Sequence, residues 1–296
     1  MAEPSSYSAA QVAVLLDNLT KIDALRLSDP DFRMSAFKAH LADNRYANVY
    51  PYDASLLPGT YINASVIKPL PESEEGAIAC IASQAPLPST FHTFFDHLYD
   101  QKTDVLVNLT ALEENGIPKS DRYWPVDTTQ PFVDATKTWS LALLSEQSAT
   151  QAFDATTQPL ASALPSLVVR RLRLTSLRDA SKQHDFTQLH FSGWPDHGAL
   201  PAPSILGLMQ AVDAVARPPL KDAMPWIHCS AGIGRSGTLI GAMLLHQMPS
   251  SHLTSQPTLQ LAAYVTQHMR KYRAGTVQTA GQLVALAMVI DQLRSS

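Results

Sequence analysis

Apolar positions first fall into a helical rhythm over residues 8–28, where Val12, Leu15, Leu16, Leu19 and Ile22 recur behind Ser8, a residue able to cap a helix. Asp29-Pro30 interrupts the rhythm, and a second short helical stretch ends near Leu41. Residues 46–58, rich in Tyr, Pro and Asp, predict an ordered loop. Short strands are predicted over 66–71, 77–83 and 105–109, the last wholly apolar, with a helix over 89–99 presenting Phe94, Phe95 and Leu98 on one face. Residues 139–144 and 168–174 read as strands, the second through the alternation Arg171, Leu172, Arg173, Leu174. Between them, residues 147–163 are mostly Gln, Ser, Ala and Thr with the single charge Asp154 and no sustained apolar period, which predicts a surface insertion.

After Trp194 the pattern turns helical, with an amphipathic stretch over 203–216. Trp226 and Ile227 form a short strand that runs into a glycine-rich turn. Thr238, Leu239, Ile240, Ala242, Met243, Leu244 and Leu245 then follow, apolar on every side, as in a buried helix. Helices over 258–270 and 279–293 complete the chain, the latter opened by Thr279 and Gln282 at capping-box spacing. Strands and helices without an internal repeat predict an α/β (α+β) fold with a central sheet.

Composition narrows the function. Of 296 residues 45% are hydrophobic and 16% charged, which excludes a disordered or charge-driven chain. A net charge of −4 argues against general affinity for nucleic acid or anionic lipid. Two cysteines, Cys80 and Cys229, make no disulfide framework, and neither they nor the 10 histidines show a metal-ligand spacing. The first twenty residues lack a basic start followed by an apolar stretch, and no run of 18 apolar residues occurs. The expectation is a soluble, cytoplasmic single domain over residues 1–296, with a helical segment at 8–41 and the insertion at 147–163.

Three of the 12 glycines fall within His228-Cys229-Ser230-Ala231-Gly232-Ile233-Gly234-Arg235-Ser236-Gly237. A strand enters this turn and a buried helix leaves it, so unpaired backbone N–H groups and the helix dipole converge on one anion. Arg235 adds a planar fork suited to two phosphate oxygens. Cys229 sits at the mouth of this positive cradle, where a thiolate is favoured. The string resembles the signature of the cysteine-dependent protein tyrosine phosphatases, in the form used by their phosphotyrosine-specific branch.

The resemblance extends, in order, from about residue 40 to 290. Asn44-Arg45-Tyr46 resembles the family's substrate-recognition loop, and Tyr61-Ile62-Asn63-Ala64, Ile81-Ala82-Ser83-Gln84-Ala85-Pro86 and Tyr123-Trp124-Pro125 resemble its core segments. Trp194-Pro195-Asp196 is similar to its mobile acid loop, and Gln278-Thr279-Ala280-Gly281-Gln282 to its glutamine loop. It implies a twisted mixed sheet flanked by helices and two-step thiol catalysis without a cofactor or metal. In that scheme Cys229 is the nucleophile, Arg235 and the backbone of Ser230, Ala231, Gly232, Ile233 and Gly234 hold the phosphate, and Asp196 is the general acid and then the base. Gln278 places the hydrolytic water with Gln282 nearby, Ser236 donates to the cysteine sulfur, and His228 orients the loop. Tyr46 is the aromatic wall that sets pocket depth, Glu114 orients Arg235, and Lys119 lies near the acid.

Asn48 departs from the family, which usually has a peptide-clamping acidic residue there; an amide accepts a hydrogen bond without charge assistance. Ala47 lacks the basic side chain that favours acidic substrates in some members. The implied partners are phosphotyrosine-containing proteins, with phosphate-like oxyanions as inhibitors and neither nucleic acid nor membrane involved. A catalytically weak phosphotyrosine-binding module and a phosphatase of broader specificity, toward phosphoserine, phosphothreonine or phosphoinositides, are the alternatives.

Overall fold

Three strands that alternate apolar side chains to both faces form the centre of the molecule. In the computed structural model, which describes residues 7–153, 163–195, 197–216 and 223–295, these are β2 (Cys80–Ser83), β3 (Val105–Asn108) and β10 (Trp226–His228), buried at every position. With β1 (Ala64–Ile67), β6 (Phe132–Val133), β7 (Trp139–Ser148), β8 (Leu167–Ser176) and β9 (Gln183–Phe191) they make an eight-stranded sheet in the order β1-β2-β10-β3-β9-β8-β7-β6. The pairings β2–β10, β10–β3 and β3–β9 are parallel and the outer ones antiparallel, giving the mixed α/β architecture. A separate two-stranded hairpin, β4 (Glu113–Glu114) and β5 (Ile117–Pro118), stands beside the sheet order.

Strand alternation divides the core in two. Ile81, Leu106 and Trp226 point to one face, where α3 (Phe91–Asp100) contributes Phe91, Phe94, Phe95 and Leu98. Cys80, Ala82, Val105, Val107 and Ile227 point to the other. That face is covered by α5 (Ala202–Val215), α6 (Gly234–His246), α8 (Thr258–Met269) and α9 (Ala280–Ser295), and α1 (Ala9–Arg26) adds Val12. Every residue of α6 except His246 is buried, as its all-round apolar sequence predicts. The short helices α2 (Ser35–Ala39), α4 (Ala149–Ala152) and α7 (Ser250–Leu253) lie between these elements along the chain. Among the described residues no helix is long and apolar enough to cross a membrane.

Several expectations shift. Ser8 stands at the N-cap of α1, but its side chain makes no capping bond. The first two strands span 64–67 and 80–83 rather than 66–71 and 77–83, because the sheet pairs Ala64 with Ser83 and Ile67 with Cys80. The insertion expected at 147–163 is narrower. Gln147 and Ser148 pair with β8, α4 follows, and Ala149, Phe153 and Leu164 are buried in the core cluster that holds Trp194 and Leu200. Residues 154–162 lie outside the described residues.

Candidate active site

The cysteine loop leaves the C-terminal end of β10, between two parallel neighbours, and enters α6 directly. Strand ends of parallel sheets open onto such crevices, and here the following helix starts at Gly234 with its first N–H groups aimed back at the turn. The turn closes tightly at Gly232, whose φ is +72° and where a Cβ would lie 1.9 Å from the Ser83 carbonyl oxygen, so no other residue fits. The Gly232 N–H donates to Cys229 Sγ at 3.2 Å.

A cavity of about 300 Å³ opens over this sulfur. The loop supplies Cys229, Ser230, Ala231, Ile233, Gly234 and Arg235 to its lining. Tyr46, Asn48 and Lys119 line it from one side and Gln278 and Gln282 from another, so residues far apart in sequence meet as the resemblance implies. Val49 and His197 also line it, and the sequence pattern did not single them out. The Tyr46 hydroxyl hydrogen-bonds Ser230 Oγ at 2.8 Å, and Ser230 Oγ donates to the Lys119 carbonyl at 2.7 Å, which ties the aromatic ring to the loop.

Arg235 is 3% exposed. Its Nη1 and Nη2 donate to Glu114 Oε1 and Oε2 at 2.6 and 2.9 Å, and Nη1 also reaches the Leu109 carbonyl at 3.1 Å. Glu114 is aimed by Thr110 Oγ1, which donates to Oε1 at 3.0 Å. This bidentate pair fixes the guanidinium plane. The β4–β5 hairpin that carries Glu114 turns at Asn115 and Gly116, both at positive φ, 53° and 76°. An Asn-Gly pair is a strong hairpin signal in sequence, so this element was readable but missed.

Gln282 fills two positions at once. Its Oε1 accepts from the Gln278 N–H at 2.8 Å and the Thr279 N–H at 3.3 Å, and its own N–H donates to Thr279 Oγ1 at 3.3 Å. That reciprocal capping box starts α9 while the side chain lines the cavity. Gln282 Nε2 reaches the Gly198 carbonyl at 3.4 Å, and Trp194 Nε1 donates to the same oxygen at 3.1 Å, so Trp194, Gly198 and Gln282 are tied together. Asp196 itself lies outside the described residues.

Ser236 departs from expectation. Its hydroxyl is buried and has no hydrogen-bond partner among the described residues, and the sulfur is served by Gly232 instead. His228 is fully buried, with Nε2 2.7 Å from the Tyr123 hydroxyl and Nδ1 3.2 Å from the Cys229 carbonyl oxygen. Gln188 Nε2 donates to that hydroxyl at 3.0 Å, so the Tyr123 O–H donates in turn to His228 Nε2, and His228 Nδ1–H donates to the Cys229 carbonyl. Burial depresses the imidazole pKa to about 3, which leaves it neutral and able to orient the loop without exchanging protons. Among the described residues no group of three or more His, Cys, Asp or Glu side chains gathers where it could hold a metal ion.

His190 behaves alike: burial lowers its pKa to about 4, with the Thr110 carbonyl accepting from Nε2 at 2.9 Å. Unfolded, both imidazoles protonate near 6.5, so below that pH the unfolded chain binds more protons and stability falls as pH drops. The limiting slope is about 1.4 kcal/mol per pH unit for each histidine, present between about pH 6 and their folded values. Urea unfolding between pH 7 and 5 is expected to show this loss, and His190→Gln to reduce its slope by one imidazole's share. An unchanged slope in that variant contradicts a neutral buried His190.

The family model for protein-tyrosine phosphatase matches residues 40–292. Human receptor-type tyrosine-protein phosphatase H is 32% identical over 260 residues, which cover 84% of this chain and 21% of that protein. Human tyrosine-protein phosphatase non-receptor type 13 is 33% identical over 86% of this chain and 9% of its own length. Zebrafish (Danio rerio) receptor-type tyrosine-protein phosphatase F is 31% identical over 96% of this chain and 14% of its own. The chain thus spans about a fifth or less of these relatives.

Proposed function

Because the chain belongs to the protein-tyrosine phosphatase family, we propose that it hydrolyses phosphotyrosine in proteins through a cysteinyl-phosphate intermediate on Cys229. The observation that carries this reading is the Cys229 sulfur, hydrogen-bonded by a loop N–H at the floor of a cavity walled by Tyr46. The phosphate rests on the loop N–H groups and on Arg235, whose plane Glu114 fixes. The thiolate attacks phosphorus as the phosphorus–phenol oxygen bond breaks, and the departing oxygen takes a proton from Asp196. Gln278 then places a water, Asp196 removes its proton, and the sulfur–phosphorus bond breaks to release phosphate. His228 and Lys119 support the loop and the acid, and the reaction needs no metal or cofactor. Its substrates on this reading are cytoplasmic phosphotyrosine proteins, with Asn48 contributing a neutral contact to the peptide.

The Tyr46 wall favours a phosphatase selective for phosphotyrosine, since a short phosphoserine or phosphothreonine cannot reach a sulfur at this depth. Turnover of p-nitrophenyl phosphate separates an enzyme from a binding module, and a matched panel of phosphotyrosine, phosphoserine and phosphoinositide substrates separates the specificities. Tyr46→Ala is expected to raise KM for phosphotyrosine peptides about tenfold, the order of one lost aromatic contact. It should also narrow the preference over phosphoserine peptides. Unchanged selectivity places the depth filter elsewhere.

A further inference from the structure

Arg273 does not line the cavity and is fully buried. Its guanidinium holds the cysteine loop from within. Nε donates to the Gly232 carbonyl at 2.8 Å, and Nη2 donates to the Ala231 carbonyl at 2.9 Å and to Asn63 Oδ1 at 2.7 Å. Nη1 has no hydrogen-bond partner among the described residues, and all three acceptors are neutral. Burial lowers its pKa to about 10, opposed by Tyr61 and Cys229, so it remains a cation at neutral pH. A cation buried among neutral acceptors is an unfavourable arrangement unless an anion compensates it.

The compensation runs through one peptide group. The Ala231 carbonyl that accepts from Arg273 and the Gly232 N–H that donates to Cys229 Sγ at 3.2 Å are two ends of the same Ala231–Gly232 peptide. A donor at the oxygen polarises the group and strengthens its N–H as a donor. Positive charge is thereby relayed to the sulfur from a guanidinium that does not itself line the cavity. The second arm fixes the Gly232 carbonyl of a residue that Ser83 already confines to glycine geometry, so the donor cannot drift from the sulfur.

We infer that Arg273 is a positioning residue for the nucleophile, the buried counter-charge of the Cys229 thiolate acting through the Ala231–Gly232 peptide. The inference rests on the reading of Cys229 as the reactive thiolate and adds what holds its charge from the protein side. Other groups face the sulfur as well. Arg235, paired with Glu114, and Lys119, His197 and Tyr46 meet at the cavity, with neutral His228 beside Cys229 and Tyr61 facing Arg273. The test therefore has to separate Arg273 from the cavity groups, which its substitution leaves in place.

The experiment follows iodoacetamide alkylation of Cys229 from pH 4 to 9 in the unaltered protein, Arg273→Lys and Arg273→Gln, with the labelled peptide identified by mass spectrometry. Cys80 does not compete, because it is fully buried and burial pushes its thiol up to about 12. Arg273→Gln is expected to move the midpoint upward by about one pH unit, slowing alkylation about tenfold on the acid side. Arg273→Lys, which keeps the charge and loses the planar fork, should move the midpoint upward by less than Arg273→Gln does. In the unaltered protein the ¹⁵N signal of Arg273 Nε, assigned by its absence from the lysine variant, should titrate with the alkylation midpoint. A folded glutamine variant with an unmoved midpoint overturns the inference. So does an Arg273 signal that ignores the Cys229 titration, and this reading does not depend on the variant folding. An unaltered protein whose Cys229 alkylates only in the ordinary thiol range contradicts the thiolate mechanism itself, a separate failure.

Discussion

Cys229→Ser loses turnover by about 10⁴-fold or more on any phosphotyrosine substrate, the scale on which removal of a nucleophile acts. A serine hydroxyl at that position is not ionised near neutrality and is a far weaker nucleophile than a thiol. The loop N–H groups, the Glu114-held guanidinium of Arg235 and the Tyr46 ring are unchanged by the substitution, so a phosphotyrosine peptide should bind within a few-fold of the unaltered affinity. Steady-state kinetics beside calorimetric titration of the peptide reads both quantities. Cys80→Ser is the control: this thiol is buried in β2 away from the cavity and held neutral, so turnover should persist. Retained turnover in Cys229→Ser removes the thiol mechanism, and loss of both turnover and binding means that the loop has collapsed.

Asp196→Ala carries the next largest effect and is recognised by a pattern. A phenol with a pKa near 10 leaves poorly as the anion, so its departure profits from a proton. Positioned general acids contribute roughly 10²–10⁴ in rate, and kcat on phosphotyrosine peptides should fall by that order. KM should hold or fall, because the phosphate contacts remain. A strongly acidic phenol leaves unaided and should lose much less. An acid works while protonated, so the alkaline limb of the kcat profile should also flatten in the variant. Equal losses for acidic and ordinary phenols assign the proton to another residue.

The sequence was most informative where local chemistry and local structure coincide. The strand, glycine turn and buried helix around Cys229 were readable because each rule acts within a few residues: alternation in Trp226 and Ile227, Gly232 at positive φ, and an all-apolar helix behind it. Residues such as Tyr46, Glu114 and Gln278 were reached through the resemblance, since no spacing rule joins positions so far apart. Strand β9 was missed for a physical reason. Its sequence Gln183–Phe191 is mostly polar, yet Gln188 is buried by bonding Arg170 and Tyr123, and His184 sits 2.8 Å from the Thr103 carbonyl. Polar side chains that find partners inside the fold erase the alternation by which strands are recognised. The expected insertion failed at its start in the opposite way: Ala149 and Phe153 are single apolar positions with no period, and they join the core cluster beside the β7–β8 pairing. Arg273 carried no signal either, because a lone arginine reads as surface charge until the fold closes over it.

The central claim is the covalent intermediate, and the most direct measurement is a rapid denaturing quench of the unaltered protein with a phosphotyrosine peptide, followed by mass mapping of every cysteine. The account predicts a burst of tyrosine product ahead of steady turnover, matched by one phosphoryl group on the peptide that contains Cys229 and none on Cys80. Product released without phosphorylated Cys229, or a phosphoryl group trapped on a different residue, contradicts it.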